Sequence, residues 1–206
     1  NSFWGRSYVI TQSLKKLKQE DRDIALNPTQ YRLLGSDTFI DLTTLDKTDP
    51  KVFNAIYYKE IPLKSITKDR DETLIVTYSP KYANYQAKIR NQQIERALKI
   101  IESGQKSKKN RKNPQDPHRF IRTIQTTQEG EVADVTNMDL DIETIEKERM
   151  YDGFYGVVTN LEDRAATVIQ INHQRWKIEE CFRTMKTDFM ARPVYLQRED
   201  RIKAHF

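Results

Sequence analysis

The sequence predicts a mixed fold of the α/β or α+β class, because two kinds of segment alternate along it. Short runs of β-branched and aromatic residues are typical of strands, and 73–78 (Thr-Leu-Ile-Val-Thr-Tyr) is the clearest of them. Two long segments, 81–103 and 162–189, have helical periodicity and contain neither Gly nor Pro. With 206 residues, 37% of them hydrophobic, the chain is long enough to bury a core.

The first part of the chain contains three predicted strands. They are expected at 7–13, at 56–61 within the segment 53–63, and at 73–78, and Pro62 and Ser79-Pro80 end the second and third of them. Residues 13–25 are rich in Lys, Asp and Glu, and this composition suits either a helix or a charged loop.

A long helix is predicted next, over 81–103. Gly104 follows it directly and is a natural C-cap. The following segment, 105–117, is rich in Lys and Asn and contains Pro114 and Pro117, so it is expected to be an exposed basic loop. Two short strands are expected at 120–127 and 131–136, with a turn at Gly130 between them.

The last part of the chain combines a glycine-bounded strand with the second long helix. Residues 142–148 are a short helix or a charged connector, and 153–160 is a strand. The long helix is expected over 162–189, with Asn160 as its N-cap. Five apolar residues recur along that helix at intervals of seven, four, three and four, which predicts a buried stripe. They are Ile171, Ile178, Phe182, Met185 and Phe189.

Charge is distributed unevenly along the chain, whose net charge is +5. Residues 81–119 hold eleven Lys and Arg against three acids, whereas 129–152 hold nine acids against two Lys and Arg. The basic segment is either a surface for an anionic partner such as nucleic acid, or a helix with a solvated basic face. Its loop residues are candidate contacts to DNA phosphates. They are Lys106, Lys108, Lys109, Arg111 and Lys112.

Composition excludes several classes of protein. Cys181 is the only cysteine, so an intramolecular disulfide and a cysteine-based zinc site are both excluded, which fits a reducing cytoplasm. The three His residues are dispersed, and no membrane span or signal peptide is visible. Because the chain begins without Met and ends in a helical pattern, we expect it to be a piece of a longer protein.

A cluster of charged residues on the second long helix is the strongest functional signal. Asn172, Arg175, Glu179 and Lys186 are separated by three, four and seven residues, so they share one helix face. A carboxylate between two cations can serve a metal-dependent phosphoryl-transfer site, since the carboxylate binds a divalent ion and the cations hold phosphates. The alternative is a solvated face in which Arg175 and Glu179 form a weak ion pair.

This helix resembles the signature of DDE-type transposases of bacterial insertion sequences, in the family-four group. That signature reads Tyr, two residues, Arg, three residues, Glu, six residues, Lys. Arg175, Glu179 and Lys186 match it, whereas Asn172 stands at the Tyr position. The strand at 153–160 also resembles the strand that precedes the catalytic helix in this family.

The resemblance implies a fold, a reaction and partners. The fold is a partial RNase H-like core with a mostly β insertion and a long C-terminal catalytic helix. Residues 1–52 would be a remnant of the core sheet and the start of the insertion, 53–150 the insertion, and 151–206 the rest of the core. The reaction is cleavage of double-stranded DNA at transposon ends followed by strand transfer to a target, with two Mg²⁺ or Mn²⁺ ions held by two Asp and one Glu. A homodimer on DNA is the expected assembly.

Glu179 matches the third acid of that set, and we expect it to be a catalytic metal ligand. The two Asp cannot be assigned, and Asp41 is only a weak imitation of one because it lies in a turn-rich segment. We therefore expect the isolated chain to be inactive. A non-catalytic DNA-binding remnant of a decayed element, and a structural or protein-interaction domain, remain as alternatives.

Overall fold

A computed structural model of the chain describes residues 7–36, 38–63, 72–104, 115–126 and 135–187. This part of the chain contains eight strands, five α-helices and three short 3-10 turns. The strands are β1 (Val9–Gln12), β2 (Tyr31–Leu33), β3 (Phe39–Ile40), β4 (Tyr57–Leu63), β5 (Glu72–Tyr78), β6 (Ile121–Thr126), β7 (Val135–Leu140) and β8 (Phe154–Thr159). The helices are α1 (Gln19–Leu26), α2 (Pro50–Asn54), α3 (Pro80–Ser103), α4 (Ile142–Arg149) and α5 (Ala165–Thr187).

Six strands form one sheet in the order β1-β8-β5-β4-β2-β3, and β6 pairs with β7 in a separate hairpin. Every described strand pair is antiparallel, so the predicted mixed fold is confirmed as α+β. The central strand β5 is buried on both faces. Leu74 and Val76 are inaccessible on one face and Ile75 is 2% exposed on the other, as the alternation of side chains along a strand requires.

The main hydrophobic core covers one face of this sheet. Tyr31, Tyr57 and Tyr78 belong to it, and they pack with aliphatic residues from the sheet and from the segment before α1. The Tyr31 hydroxyl donates to the backbone oxygen of Ala25 at 2.5 Å, so a buried polar group is satisfied. The Tyr78 ring packs against Phe154 with 4.9 Å between ring centroids. These aromatic contacts join β2, β5 and β8.

Lys59 of β4 points into this core and holds the end of α1. Its Nζ donates to the backbone oxygens of Ile24 at 3.1 Å and Asn27 at 2.8 Å, and it lies 4.5 Å from the centroid of the Tyr31 ring. A cation is favourable there because carbonyl groups at a helix C-terminus carry partial negative charge. Burial lowers the pKa of Lys59 to about 8.

The predicted helix at 81–103 is confirmed as α3. Ser79 is its N-cap, Pro80 occupies its first turn, and Gly104 ends it in the left-handed conformation at φ +64°. The buried positions of α3 include Arg90, Gln93 and Ala97, so much of the buried face is polar.

Three element boundaries differ from the predicted ones. Pro62 does not end the second strand, since β4 continues through it to Leu63; Pro62 lies beyond the residues of β4 that pair with β2, and proline is tolerated at such an edge position. The second hairpin strand is Val135–Leu140, later than predicted. Asn160 is not the N-cap of α5, which begins at Ala165. Its Oδ1 accepts the Tyr8 N–H at 2.9 Å instead.

The chain divides into two compact units between Leu161 and Glu162. The first unit contains the whole six-stranded sheet, and the second contains α5. The sheet takes strands from all three predicted segments, 1–52, 53–150 and 151–206, whose boundaries stay predictions. None of the described helices has the length and apolar character that a membrane crossing requires.

Candidate functional site

The candidate site lies on α5, a helix of 23 residues that the sequence strongly favours. Straight-chain residues and Ala dominate it, and Gly and Pro are absent. Burial is concentrated in its first turns, where Ala165 is 3%, Val168 0% and Ile169 4% exposed. From Gln170 onward nearly every described side chain is exposed, with Asn172 and Thr184 half-buried.

The four signature residues lie on one face of α5, as predicted from their spacing. Arg175, Glu179 and Lys186 are exposed and Asn172 is half-buried. Val168 precedes Asn172 by four residues, so the signature face continues the side on which the helix is buried at its start. That burial does not extend along the face, since Arg175, Glu179 and Lys186 are as exposed as the rest of the helix after Gln170.

The charged groups on α5 are not equivalent. Arg183 donates to Glu180 at 2.6 Å, which makes an ordinary surface ion pair. Glu179 and Lys186 form no ion pair with any side chain in the described ranges, and Arg175 and Glu179 do not form the pair that their spacing allows. The Glu179 carboxylate is thus accessible to a cation from solvent.

Asn172 contributes a hydrogen-bond acceptor to this face. Its Oδ1 is buried and has no hydrogen-bond partner within the described part of the chain. Buried polar atoms are rarely left unsatisfied, so an orphaned acceptor calls for an explanation. The Asn172 amide oxygen is shielded from solvent, unlike the three charged side chains of the same face.

The apolar stripe of α5 is not buried, and the prediction that it is core was wrong. Ile171 is 42%, Ile178 60%, Phe182 62% and Met185 49% exposed, while Phe189 lies outside the described residues. The periodicity shows which side chains share a face, but it cannot show whether anything in the same chain covers that face. The stripe borders the signature face along the helix.

A structural role explains Asp152 and Gly153, which precede β8. Arg90 of α3 donates to both Asp152 carboxylate oxygens, at 2.6 and 2.5 Å, and the two side chains are only 9% and 15% exposed. This ion pair raises the pKa of Arg90. The Gly153 N–H donates to Gln86 Oε1 at 2.8 Å, which ties the same loop to α3.

The two glycines around β8 are required by close packing. Gly153 has φ +83°, and a Cβ there would lie 2.7 Å from Tyr78 Cε2 and 2.9 Å from Ala83 Cβ. A Cβ on Gly156 would lie 2.7 Å from the Gln12 backbone oxygen. The glycine-bounded strand before the signature helix therefore reflects packing of α3 and β1 against β8.

The remaining candidate residues do not assemble with Glu179. Asp41 is half-buried and caps a 3-10 turn, since its carboxylate accepts the Thr43 N–H at 2.8 Å and the Thr43 hydroxyl at 2.6 Å. Those bonds lower the pKa of Asp41. Across the described ranges, no three His, Cys, Asp or Glu side chains converge in a way that could hold a metal ion. The basic loop residues Lys106, Lys108, Lys109, Arg111 and Lys112 lie outside those ranges.

Sequence reasoning missed Arg90, Gln86 and Asp152 as partners. In the sequence, Arg90 is one of several cations in the basic segment 81–119, and Asp152 is one of several acids in the acidic segment 129–152, so nothing local marks them as a pair. The available signal was the spacing of Ala83, Arg90 and Ala97 at intervals of seven, which marks a narrow face that packs closely.

Comparison with known proteins identifies no relative of this chain. No protein-family model matches the sequence, and no curated protein or solved structure matches it either.

Proposed function

We propose that the chain is the C-terminal part of a DDE-type transposase, which cuts double-stranded DNA at transposon ends and joins it to a target. The observation that carries this proposal is the signature face of α5. Arg175, Glu179 and Lys186 have the identity and spacing of the family signature, and they are exposed together on one face of the helix.

Glu179 has the properties that the metal-binding role requires. Its carboxylate is exposed and makes no ion pair within the described residues, whereas neighbouring Glu180 is held by Arg183. Carboxylate oxygens are the ligands that Mg²⁺ and Mn²⁺ prefer. Two such ions, when bound, would activate the attacking oxygen and stabilise the leaving oxygen of a phosphodiester. Glu179 would supply one ligand, and the two Asp would lie elsewhere in the complete protein.

The cations on the same face would hold and orient the DNA strand. Arg175 can bind a phosphate through two parallel N–H donors, and Lys186, two turns after Glu179, can neutralise a second phosphate as a point charge. Asn172 replaces the signature Tyr. Its amide oxygen is buried and can only accept a hydrogen bond, so it would not replace a Tyr hydroxyl that donates to the DNA strand.

In this proposal the fold combines a partial RNase H-like core with its insertion. Residues 151–206, with β8 and α5, belong to the core, and 53–150, with four strands, form the mostly β insertion. The family core contains a mixed sheet, and all described pairs are antiparallel, so the parallel partners would come from residues beyond those described. The exposed apolar stripe beside Glu179 supports this arrangement, because a remaining part of the core would cover it.

The experiment uses the protein extended to include residues encoded upstream. Cleavage of DNA that carries the element's own ends is measured with Mg²⁺ or Mn²⁺, for the wild type and for Glu179→Gln. We expect the variant to lose cleavage and to keep DNA binding. Equal cleavage by both proteins would exclude Glu179 from the site. Salt-sensitive DNA binding without cleavage in either protein would favour the non-catalytic remnant instead.

A further inference from the structure

Helix α3 presents an exposed basic face that is separate from the signature face. Six residues follow one another along it at intervals of four, three, four, four and three, which places them in one stripe. They are Lys81, Tyr85, Lys88, Gln92, Arg96 and Lys99, and all six are exposed. This stripe, the α3 basic face, extends about 27 Å along the helix at 1.5 Å per residue.

The four cations of the α3 basic face are not neutralised within the described part of the chain. None of them forms an ion pair with a described carboxylate, although Glu95 lies beside them, four residues before Lys99. The fifth cation of the helix, Arg90, lies on the opposite side and is paired with Asp152. Arg90 is therefore the buried cation of α3, and it is paired. The four cations of the α3 basic face point to solvent.

Two tyrosines stand at one end of this row. Tyr85 is 58% and Tyr82 39% exposed, and their rings are stacked with 6.4 Å between centroids and an interplanar angle of 19°. Partial burial raises the pKa of Tyr82. Tyrosine hydroxyl groups are among the usual donors to DNA phosphates, so this end of the row can add neutral hydrogen bonds to the charged contacts.

The opposite side of α3 is fixed at three points. Arg90 pairs with Asp152, Gln86 accepts the Gly153 N–H, and Gln93 accepts a hydrogen bond from Arg119. A helix held in this way keeps its exposed charges at constant spacing, so a polyanion that matches them would bind without reordering the helix.

We propose that the α3 basic face binds the backbone phosphates of duplex DNA independently of base sequence. The choice of DNA among polyanions rests on the function proposed above. A straight row of cations about 27 Å long suits a long and regular array of phosphates. Four cation–phosphate contacts predict that log K falls against log salt with a slope of roughly −4.

The test compares two triple variants of the 206-residue chain. One removes Lys88, Arg96 and Lys99 from the face, each to Gln. The other removes Lys16, Lys18 and Lys51, which are also exposed but lie outside α3, each to Gln. Circular dichroism checks that both variants fold. Fluorescence anisotropy then measures binding to two duplexes of unrelated sequence, in EDTA, from about 50 to 200 mM salt.

We expect the face variant to bind both duplexes more weakly and to reduce the steepness of the salt slope by roughly 2 to 3. The matched variant should keep most of the slope. Equal slopes for the two variants, or no duplex binding by the wild type at low salt, would overturn the inference. Because no metal is present, the result is independent of cleavage. A chain that binds DNA through α3 while Glu179 proves dispensable would keep this inference and lose the proposed function.

Discussion

The connection between α3 and β8 depends on a few polar side chains around Asp152. A half-buried carboxylate is tolerated there because Arg90 supplies two parallel hydrogen bonds and an opposite charge. Removal of one partner would leave the other charge buried and uncompensated, which costs more than the pair itself contributes. The neighbouring Gly153 adds a steric requirement at the same point.

Asp152→Asn should destabilise the first unit by about 1 to 3 kcal/mol, because the Arg90 guanidinium loses its charged partner at a partly buried site. Urea denaturation measures this loss. The double replacement Arg90→Met with Asp152→Leu should cost less, because it leaves no unpaired charge. Arg149→Met removes an exposed pair with Glu146, in which the side chains are 68% and 58% exposed, and should change stability little. A similarly small effect for Asp152→Asn would contradict the structural role of the pair.

A comparison of Gly153→Ala with Gly104→Ala distinguishes two causes of lost stability, which are backbone strain at positive φ and steric clash of the added Cβ. Both residues have positive φ, but a Cβ meets nothing within 4 Å at Gly104 and meets Tyr78, Ala83 and the Ser79 oxygen at Gly153. We expect a cost of about 1 kcal/mol at Gly104 and about 1 to 3 kcal/mol more at Gly153. Thermal unfolding compares the two variants. Equal losses of stability would show that a Cβ at Gly153 does not meet its neighbours closely.

Lys59 should give the stability a measurable dependence on pH. Its pKa is about 8 in the folded protein against 10.5 for an ordinary lysine. Between these values the unfolded chain binds more protons than the folded one, so the contribution of Lys59 to stability rises with pH. Urea denaturation between about pH 7.5 and 9.5 should show the wild type gaining stability relative to Lys59→Met. A difference that stays constant or shrinks as pH rises would be inconsistent with a cation desolvated by burial.

At the scale of elements, α5 is unusual because most of its length is exposed although it carries large apolar side chains. Its first turns are buried, and the rest exposes both an apolar stripe and the signature face. An exposed row of large apolar residues marks an interaction surface more often than it marks a free helix. The stripe therefore contributes little to the stability of this chain by itself.

Serine substitutions in the stripe test that statement. Ile178→Ser and Phe182→Ser should each change the free energy of unfolding by less than about 0.5 kcal/mol, as surface substitutions usually do. Val168→Ala, in the buried part of the same helix, should cost at least about 1 kcal/mol. If Phe182→Ser is as costly as Val168→Ala in chemical denaturation, the stripe is covered in solution.

The elements that sequence reasoning identified are those with local signals. The helix α3 has its cap at Gly104, and β5 has an uninterrupted β-branched run. The strands β2 and β3, of three and two residues, were missed because they are very short and form by pairing with distant β4 and with each other. Antiparallel pairing throughout the sheet is likewise a property of long-range contacts, which no local pattern specifies.

At the scale of the whole molecule, the two groups of charged residues belong to different compact units. The α3 basic face belongs to the first unit and the signature face to the second. Spacing alone placed Arg175, Glu179 and Lys186 on one face of α5, because the geometry of a helix is regular. The side of α5 that is buried at its start, the orphaned Asn172 acceptor and the uncovered stripe depend on tertiary packing, so they could not be derived from the sequence.

The measurement that tests the central claim most directly is the ratio of metal-dependent cleavage rates for two adjacent substitutions, Glu180→Gln and Glu179→Gln, in the upstream-extended protein. The two variants lose the same charge one residue apart, and only Glu179 lies on the signature face. Because outer partners of metal ligands already matter 10- to 100-fold, loss of a ligand should make Glu179→Gln slower by at least about 100-fold. Glu180→Gln should stay close to the wild type. Equal rates for the two variants would contradict the assignment of Glu179 to a metal site.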